Sequence, residues 1–548
     1  MKLKVRKAIA LTGCIGLLAV QMSGCAQTKD VNNEGEKALS NASETNTPAF
    51  TRNDQGIPDL QGETITIWQP LTPGQVKFCN DLNEYEVIKQ LEEKLNCNFE
   101  FIHPPVGQEK DNFSIMIGSG DWPDMIFGGI ENYPGGLSSA LADGIVYDVT
   151  PYINEVHTPT FMEKIMSNET YKKWFTDDEG RITGFGNKLT GSEEANVAFF
   201  GPLVRKDYLE ATGMEAPKTI DDWDKMLNKM KDNGVQYPLV MNVVGWPIDR
   251  SCNMFASAYG IALSYFIEED GKTVAYGMEQ PAYKEYLTTL NKWYSQGLIN
   301  PDFPNQTLED ATGLMMSGQG GSLVMHLYDY SYRYYNVNEK SNPEQALIPV
   351  QYPRLNEGDE NRFRPTSMGV ADSKVITTKA KNPLACIYLL DTLYNDEIDK
   401  MLAYGIEGVS YKMVDGNPVQ IIINEDQPKE DHLKGSPSRW HTTEDSTLEG
   451  VLQKYSVGSD EEALRLWMQD GFAGNYPSSF VKYTDEENKV IAKYQTDLDT
   501  YVSEMMLKFI TGVEPLSNFD QYIAQVKAMH SDELVAVRQA AYDRYLSR

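Results

Sequence analysis

Cys25 is the side chain most plainly placed for covalent chemistry. It follows Ser23 and Gly24 in QMSGCAQTKD, where an apolar run ends and the chain turns polar. A thiol presented behind two small residues is a nucleophile able to take an acyl chain. The residue types that usually carry catalysis do not fall into working patterns elsewhere. Six histidines include no HExxH pair, and there is no GxSxG turn and no GxxxxGK[ST] loop. Ser317 to Gly321 reads SGQGG, glycine-rich but short of the dinucleotide pattern. Cys79, Cys97, Cys252 and Cys386 are widely and irregularly spaced, with no CxxC and no Cys/His cluster. Neither a disulfide scaffold nor a zinc site is expected, and no cofactor is implied.

The elements around Cys25 explain its position. Lys2, Lys4, Arg6 and Lys7 precede an apolar stretch of about fifteen residues, too short to cross a bilayer. That order describes a secretory signal peptide over 1–24. Met22-Ser23-Gly24-Cys25 resembles the bacterial lipobox, whose cysteine is acylated (palmitate is one such chain) and becomes the first mature residue. Residues 25–60 are rich in Asn, Ser, Thr, Glu and Lys, so a lipid-anchored flexible tether is expected there, with a reach of roughly 30–36 Å. The expected location is the outer face of the cell membrane, in a Gram-positive bacterium.

The 548 residues leave enough chain beyond the tether for two or three domains with real cores. With 79 acidic and 49 basic residues the net charge is −30, which argues against a nucleic-acid partner. The start of the globular part alternates strand and helix. ETITIWQP reads as a strand, EYEVIKQLEEKLN as a helix with Tyr85, Ile88, Leu91 and Leu95 on one face, CNFEFI as a strand, and NFSIMIGSGDWPDMIF as helix, turn and buried strand. This rhythm predicts an α/β sheet with a parallel component, where ligands meet the carboxyl ends of strands. Later segments are more helical. Thr219 and Asp222 form a capping-box pattern before Trp223, Met226, Leu227 and Met230. Pro281 to Gly297 places Tyr283, Tyr286, Leu287, Leu290 and Trp293 at helical spacing, and Thr484 with Glu487 opens a long helix toward Gly512. Trp223 and Trp293 are expected in the core.

Several of these stretches, in order, resemble the family 1 extracellular solute-binding proteins of bacterial ABC importers. They are SGDWPDMIFG (119–128), LADGIVYDVTPYI (141–153), DDEGRITGFG (177–186), LVRKDYLEATGMEAPKTIDDW (203–223), KWYSQGLINPDF (292–303) and YGIEGVSY (404–411). The resemblance covers residues 60 to 420. It implies a two-lobed type 2 periplasmic-binding-protein fold, each lobe a mixed sheet flanked by helices, with a helical C-terminus. The lobes would comprise 61–195 plus 367–430 and 196–366 plus 431–548, with crossings near Asn196 to Val204, Thr366 to Val370 and 425–435. Many relatives carry a calcium-loop-like insert after the KDYL helix. Here KDNGVQYPL (231–239) keeps too few oxygen ligands, so no metal is carried over.

The function so implied is capture of an extracellular solute, with an oligosaccharide expected, and its delivery to ABC permease subunits by a monomer that closes like a hinged trap. A peptide or another small solute stays open. A secreted carbohydrate-active enzyme is the alternative, and a sensing or adhesion role is another. Sugars ask for aromatic faces and two-sided hydrogen bonds. Trp68 and Gln69 end a strand on the rim where ligands bind. Asp121, in the SGDWPD turn, either faces the cleft or caps the turn. Trp246, Asp249 and Arg250 share the loop GWPIDRS. Tyr328 and Tyr330 belong to LYDYSYRYY, where one face is expected to be structural. Glu407 of YGIEG either accepts from hydroxyls or pairs internally, and Trp440 lies in the loop SRWHTT. An acidic sugar would call for Arg or Lys in the cleft, with Arg250 and Arg333 as candidates.

Overall fold

The computed structural model describes residues 48–548, except 135, 191–197, 245–253, 366–368, 415, 422, 424–433, 438, 443–457 and 479. Its principal elements run β1 (Glu63–Trp68), α1 (Glu86–Leu95), β2 (Cys97–Ile102), α2 (Glu109–Ser119), β3 (Met125–Phe127), β4 (Lys188–Thr190) and β5 (Phe200–Arg205). Then come α3 (Ile220–Asp232), β6 (Tyr237–Leu239), α4 (Pro281–Ser295), β7 (Gly320–His326), β8 (Leu347–Pro349), β9 (Gly369–Ala371), β10 (Lys374–Ile376) and α5 (Pro383–Thr392). Three helices close the chain: α6 (Asp485–Thr511), α7 (Phe519–Ala528) and α8 (Ser531–Ser547).

The first sheet has the order β10-β3-β1-β2. β1 lies parallel to β2 from Glu63↔Cys97 to Trp68↔Ile102, and parallel to β3 at Ile67↔Met125, whereas β10 returns antiparallel with Lys374 opposite Phe127. α1 forms because Val87, Ile88, Leu91 and Leu95 share one buried face, and Asn96 ends it in the left-handed region at φ 48°. The acidic end of the SGDWPD turn is a clamp. The buried Asp124 carboxylate accepts from the Thr66 amide at 2.8 Å, the Thr66 hydroxyl at 2.6 Å and the Lys381 amide at 2.7 Å, binding β1 to the chain after β10.

A second sheet, β8-β5-β7-β6, stands in its own core. β5 pairs antiparallel with β7 from Phe200↔His326 to Val204↔Ser322, and β6 runs parallel to β7. Both capping boxes read from the sequence form, at Thr219/Asp222 before α3 and at Thr484/Glu487 before α6. Trp223, Tyr283, Tyr286, Leu287, Leu290 and Trp293 are wholly buried there, packed with Leu498, Val502 and Phe509 of α6. β4 and β9 form a separate antiparallel pair with Ala371 opposite Lys188 and Gly369 opposite Thr190, and Leu189 is buried in the first core. Cys79, Cys97 and Cys386 are buried free thiols.

Two boundaries differ from expectation. The tether does not extend to residue 60: Phe50, Ile57 and Leu60 are buried in the first core, Phe50 edge-on to Tyr388 at 5.2 Å. Arg52 pairs with the buried Asp391 carboxylate at 2.9 Å. A short apolar run inside a polar stretch anchors this segment, and composition averaged over the whole stretch conceals it. Nor does the chain leave the first lobe by 431. The Ser436 hydroxyl donates to the Leu402 carbonyl at 2.6 Å, and that of Thr442 donates to the Leu393 carbonyl at 2.9 Å, so 434–442 lies with the first sheet.

Candidate ligand-binding site

Several residues singled out in the sequence turn out to hold the fold. Trp68 is 2 % exposed and lies edge-on to Phe113 at 5.7 Å. Gly129, at φ 109°, makes room for its ring, since a Cβ there would stand 2.5 Å from the indole. Gln69 is buried, and its Oε1 accepts from the Trp440 indole N–H at 2.9 Å. Trp440 packs on Phe127 at 4.9 Å and Phe99 at 5.4 Å. Gln69 and Trp440 are thus brought together, but inside the first core. Tyr330 is also buried and donates to the Glu339 carboxylate at 3.0 Å. Hydroxyl or indole groups spent in this way are unavailable to a sugar.

Asp121 is exposed on its turn. Glu407 is exposed and takes the Tyr411 hydroxyl. Burial first, and that carboxylate second, raise the Tyr411 pKa. Tyr328 stands on the single helical turn that follows β7, and only its backbone is described. Trp246, Asp249 and Arg250 lie outside the described residues. Arg333 is engaged by Asp329 at 2.9 Å.

Two other groups stand out among the described residues. On the first-sheet side, Lys374 begins β10 and Lys188 begins β4, and both are buried. Lys188 Nζ lies 2.6 Å from His441 Nε2. Burial drives the Lys374 ammonium down to about 8, with Lys188 and Arg439 adding to the drop, against the pull of Asp372 and Asp399. Arg439, the neighbour of Trp440, extends its guanidinium over Gly128 at the carboxyl end of β3. A side chain at Gly128 would collide with it. On the second-sheet side, Phe199, Phe200 and His326 are half-exposed where β5 begins and β7 ends. Phe199 stacks on His326 at 5.6 Å and 20°, and Phe200 meets the same ring edge-on at 4.6 Å. Lys188 precedes and Phe199 follows residues 191–197 in the sequence. Charged donors on one side and an aromatic rim on the other are what a polar ring with C–H faces requires.

Sequence reasoning passed over these residues. The pair Phe199-Phe200 before a crossing strand was the available signal for the rim. Arg439 and His441 were hidden beside the more conspicuous Trp440.

A cavity of about 1090 Å³ lies elsewhere, between Tyr259, Glu268, Glu285, Asp359, Arg362 and Phe363. All its walls belong to the second-sheet side. Movement of one sheet against the other would not enclose a ligand there, which makes it the weaker candidate.

Residues 83–397 match the family model for bacterial extracellular solute-binding proteins. The chain belongs to that family. A fructooligosaccharide ABC transporter substrate-binding protein, FusA of Streptococcus pneumoniae, is 22 % identical over 541 residues, covering 90 % of this chain and 95 % of FusA. Lipoprotein LipO of Bacillus subtilis is 22 % identical over 374 residues, covering 65 % of this chain and 68 % of LipO. Among solved structures, the alginate-binding protein AlgQ2 without calcium superposes with a TM-score of 0.67 at 18 % identity, over 91 % of this chain and all of AlgQ2. The two-lobed solute-binding fold is therefore shared.

Proposed function

We propose that this protein is a membrane-tethered extracellular binding protein that captures an oligosaccharide and delivers it to an ABC permease, without altering it chemically. The observation that carries the reading is the match of residues 83–397 to the solute-binding family; the half-exposed Phe199-Phe200-His326 rim and the Arg439-Lys374-Lys188 group supply the ring faces and charged donors that a sugar needs. Family membership and the carbohydrate-binding relative support it. Residues 48–190 with 369–442 form one lobe, and the second sheet with α4 and α6 forms the other. The ligand sits between them and favours the closed form through its greater affinity for that form. The acyl chain on Cys25 holds the protein at the membrane, and the short polar segment before Phe50 is its tether. As a monomer it meets the permease with ligand enclosed.

The test is thermal unfolding of the purified protein with a panel of oligosaccharides, followed by analysis of the recovered sugar. A true ligand at 100 times its Kd adds about 2.7 kcal/mol and raises the midpoint, and the sugar returns intact. Shortened sugar would favour the carbohydrate-active enzyme and remove the transport reading.

A further inference from the structure

In a chain with 79 acidic and 49 basic residues, four basic side chains collect at one point. Lys188, Lys374, Arg439 and His441 meet beside the carboxyl end of β3. Lys374 is 4 % exposed and Lys188 8 %. The Lys374 ammonium donates to the Asp372 carbonyl at 3.2 Å. The carboxylates whose fields reach it are those of Asp372 and Asp399, and Asp399 already accepts from the Thr442 hydroxyl at 3.0 Å. Glu131, also nearby, takes the Gly129 amide at 2.9 Å and the Ser373 hydroxyl at 3.2 Å.

Arg439 is the exception to this pairing. Among the described residues no carboxylate or carbonyl accepts from its guanidinium, and the exposed Glu109 feels it only as a distant charge. Its backbone lies at φ 76°, a region that residues other than glycine avoid, and Gly128 leaves the space its side chain fills. A half-buried guanidinium held this way, with two buried ammonium groups behind it, suits a planar anion with two oxygens.

We propose that the solute is an acidic oligosaccharide, one of whose uronate carboxylates docks on the Arg439 guanidinium, with Lys374 and Lys188 supplying the positive field behind it. This rests on the saccharide reading above and adds the charge of the sugar to it.

Calorimetric titration of the detergent-extracted full chain decides it. The probes are a short oligogalacturonate, its methyl ester, a neutral fructooligosaccharide and a sulfated oligosaccharide of similar length. The expected result is tightest binding of the oligogalacturonate, with the ester at least about tenfold weaker. Arg439→Gln should lower the oligogalacturonate affinity about ten- to hundred-fold, more than it lowers that of the ester, while Arg439→Lys recovers part of the loss. Equal affinity for acid and ester overturns the inference on the unsubstituted protein, whatever the variants do. So does preference for the sulfated sugar, or an Arg439→Gln variant that binds oligogalacturonate like the parent. Binding of the neutral sugar alone removes the acidic ligand and leaves the saccharide reading standing. Binding of none of the four removes both.

Discussion

Arg544 grips Glu487 with both terminal nitrogens, at 2.8 and 2.6 Å, while its Nε donates to Asp178 at 2.6 Å. One guanidinium on α8 thereby joins the start of α6 to the hairpin that precedes β4. All three side chains are half-buried, so water screens the bonds in part, and their bidentate geometry carries the strength. Arg544→Ala should lower the unfolding free energy by about 2 kcal/mol, measured by urea denaturation. Arg544→Lys should recover little of this, because a single ammonium cannot reproduce the planar fork. A lysine variant as stable as the parent would refute the bridge.

The aromatic rim carries a separate prediction. Phe199→Ala and His326→Ala should each weaken oligosaccharide binding by about 1 kcal/mol, some fivefold in Kd by calorimetry. Both rings are half-exposed, so the melting midpoint should shift little. Unchanged affinity in both variants would take the rim out of the site.

Asp391 sets a pH dependence in the first core. Burial raises its pKa from 3.8 to about 6, against the opposing pull of Arg52 and of hydrogen bonds from Phe161 and Thr160. Its folded pKa exceeds its unfolded one, so the folded state binds the proton more tightly. Stability from this group is present below pH 4 and lost as pH rises through 6. The parent should therefore gain up to about 3 kcal/mol relative to Asp391→Asn when urea unfolding is carried out at pH 4 instead of 7. A pH-independent difference would show that the carboxyl does not titrate in this range.

Gln69→Leu removes the acceptor of the buried Trp440 indole and should cost about 1–3 kcal/mol. Trp440→Ala, which opens a cavity among Phe99, Phe101 and Phe127, should cost about 3–5 kcal/mol. Denaturant midpoints of the two variants give the comparison, and Gln69→Leu as stable as the parent would contradict the hydrogen bond.

Cys25→Ser should release the protein from the cell surface. Fractionation should then find it in the medium, whereas the parent sediments with membranes. Retention of the serine variant on the membrane would exclude the thiol as the anchor.

Much of the fold was legible because it rests on local rules. Helix faces such as Tyr283 to Trp293, caps such as Thr219/Asp222 and the strand-helix alternation from Glu63 to Phe127 are written within a few turns of chain, and all appear as read. The site was less legible. Trp68 and Trp440 were conspicuous for their type, but whether a tryptophan faces solvent or core depends on partners far away in sequence, here Phe113 for one and Gln69 for the other. Arg439 carries no periodic or motif signal. Its importance comes from Gly128 and Lys374, which meet it only once three separate stretches have folded together.

The first core has one more consequence, for the order in which the protein can mature. Its apolar cluster takes Trp440 and Phe480 from late in the chain, and Phe480 stacks on Trp174 at 4.3 Å. Lys173 sits over the Tyr545 ring, and Arg548 donates to the Thr176 carbonyl at 2.7 Å. A chain made N-terminus first can build β1, β2 and β3 early, yet it lacks the groups that seal them until α8 has followed. Contacts of such long sequence separation form slowly. The first core is thus completed last, when the final turns of α8 close on it.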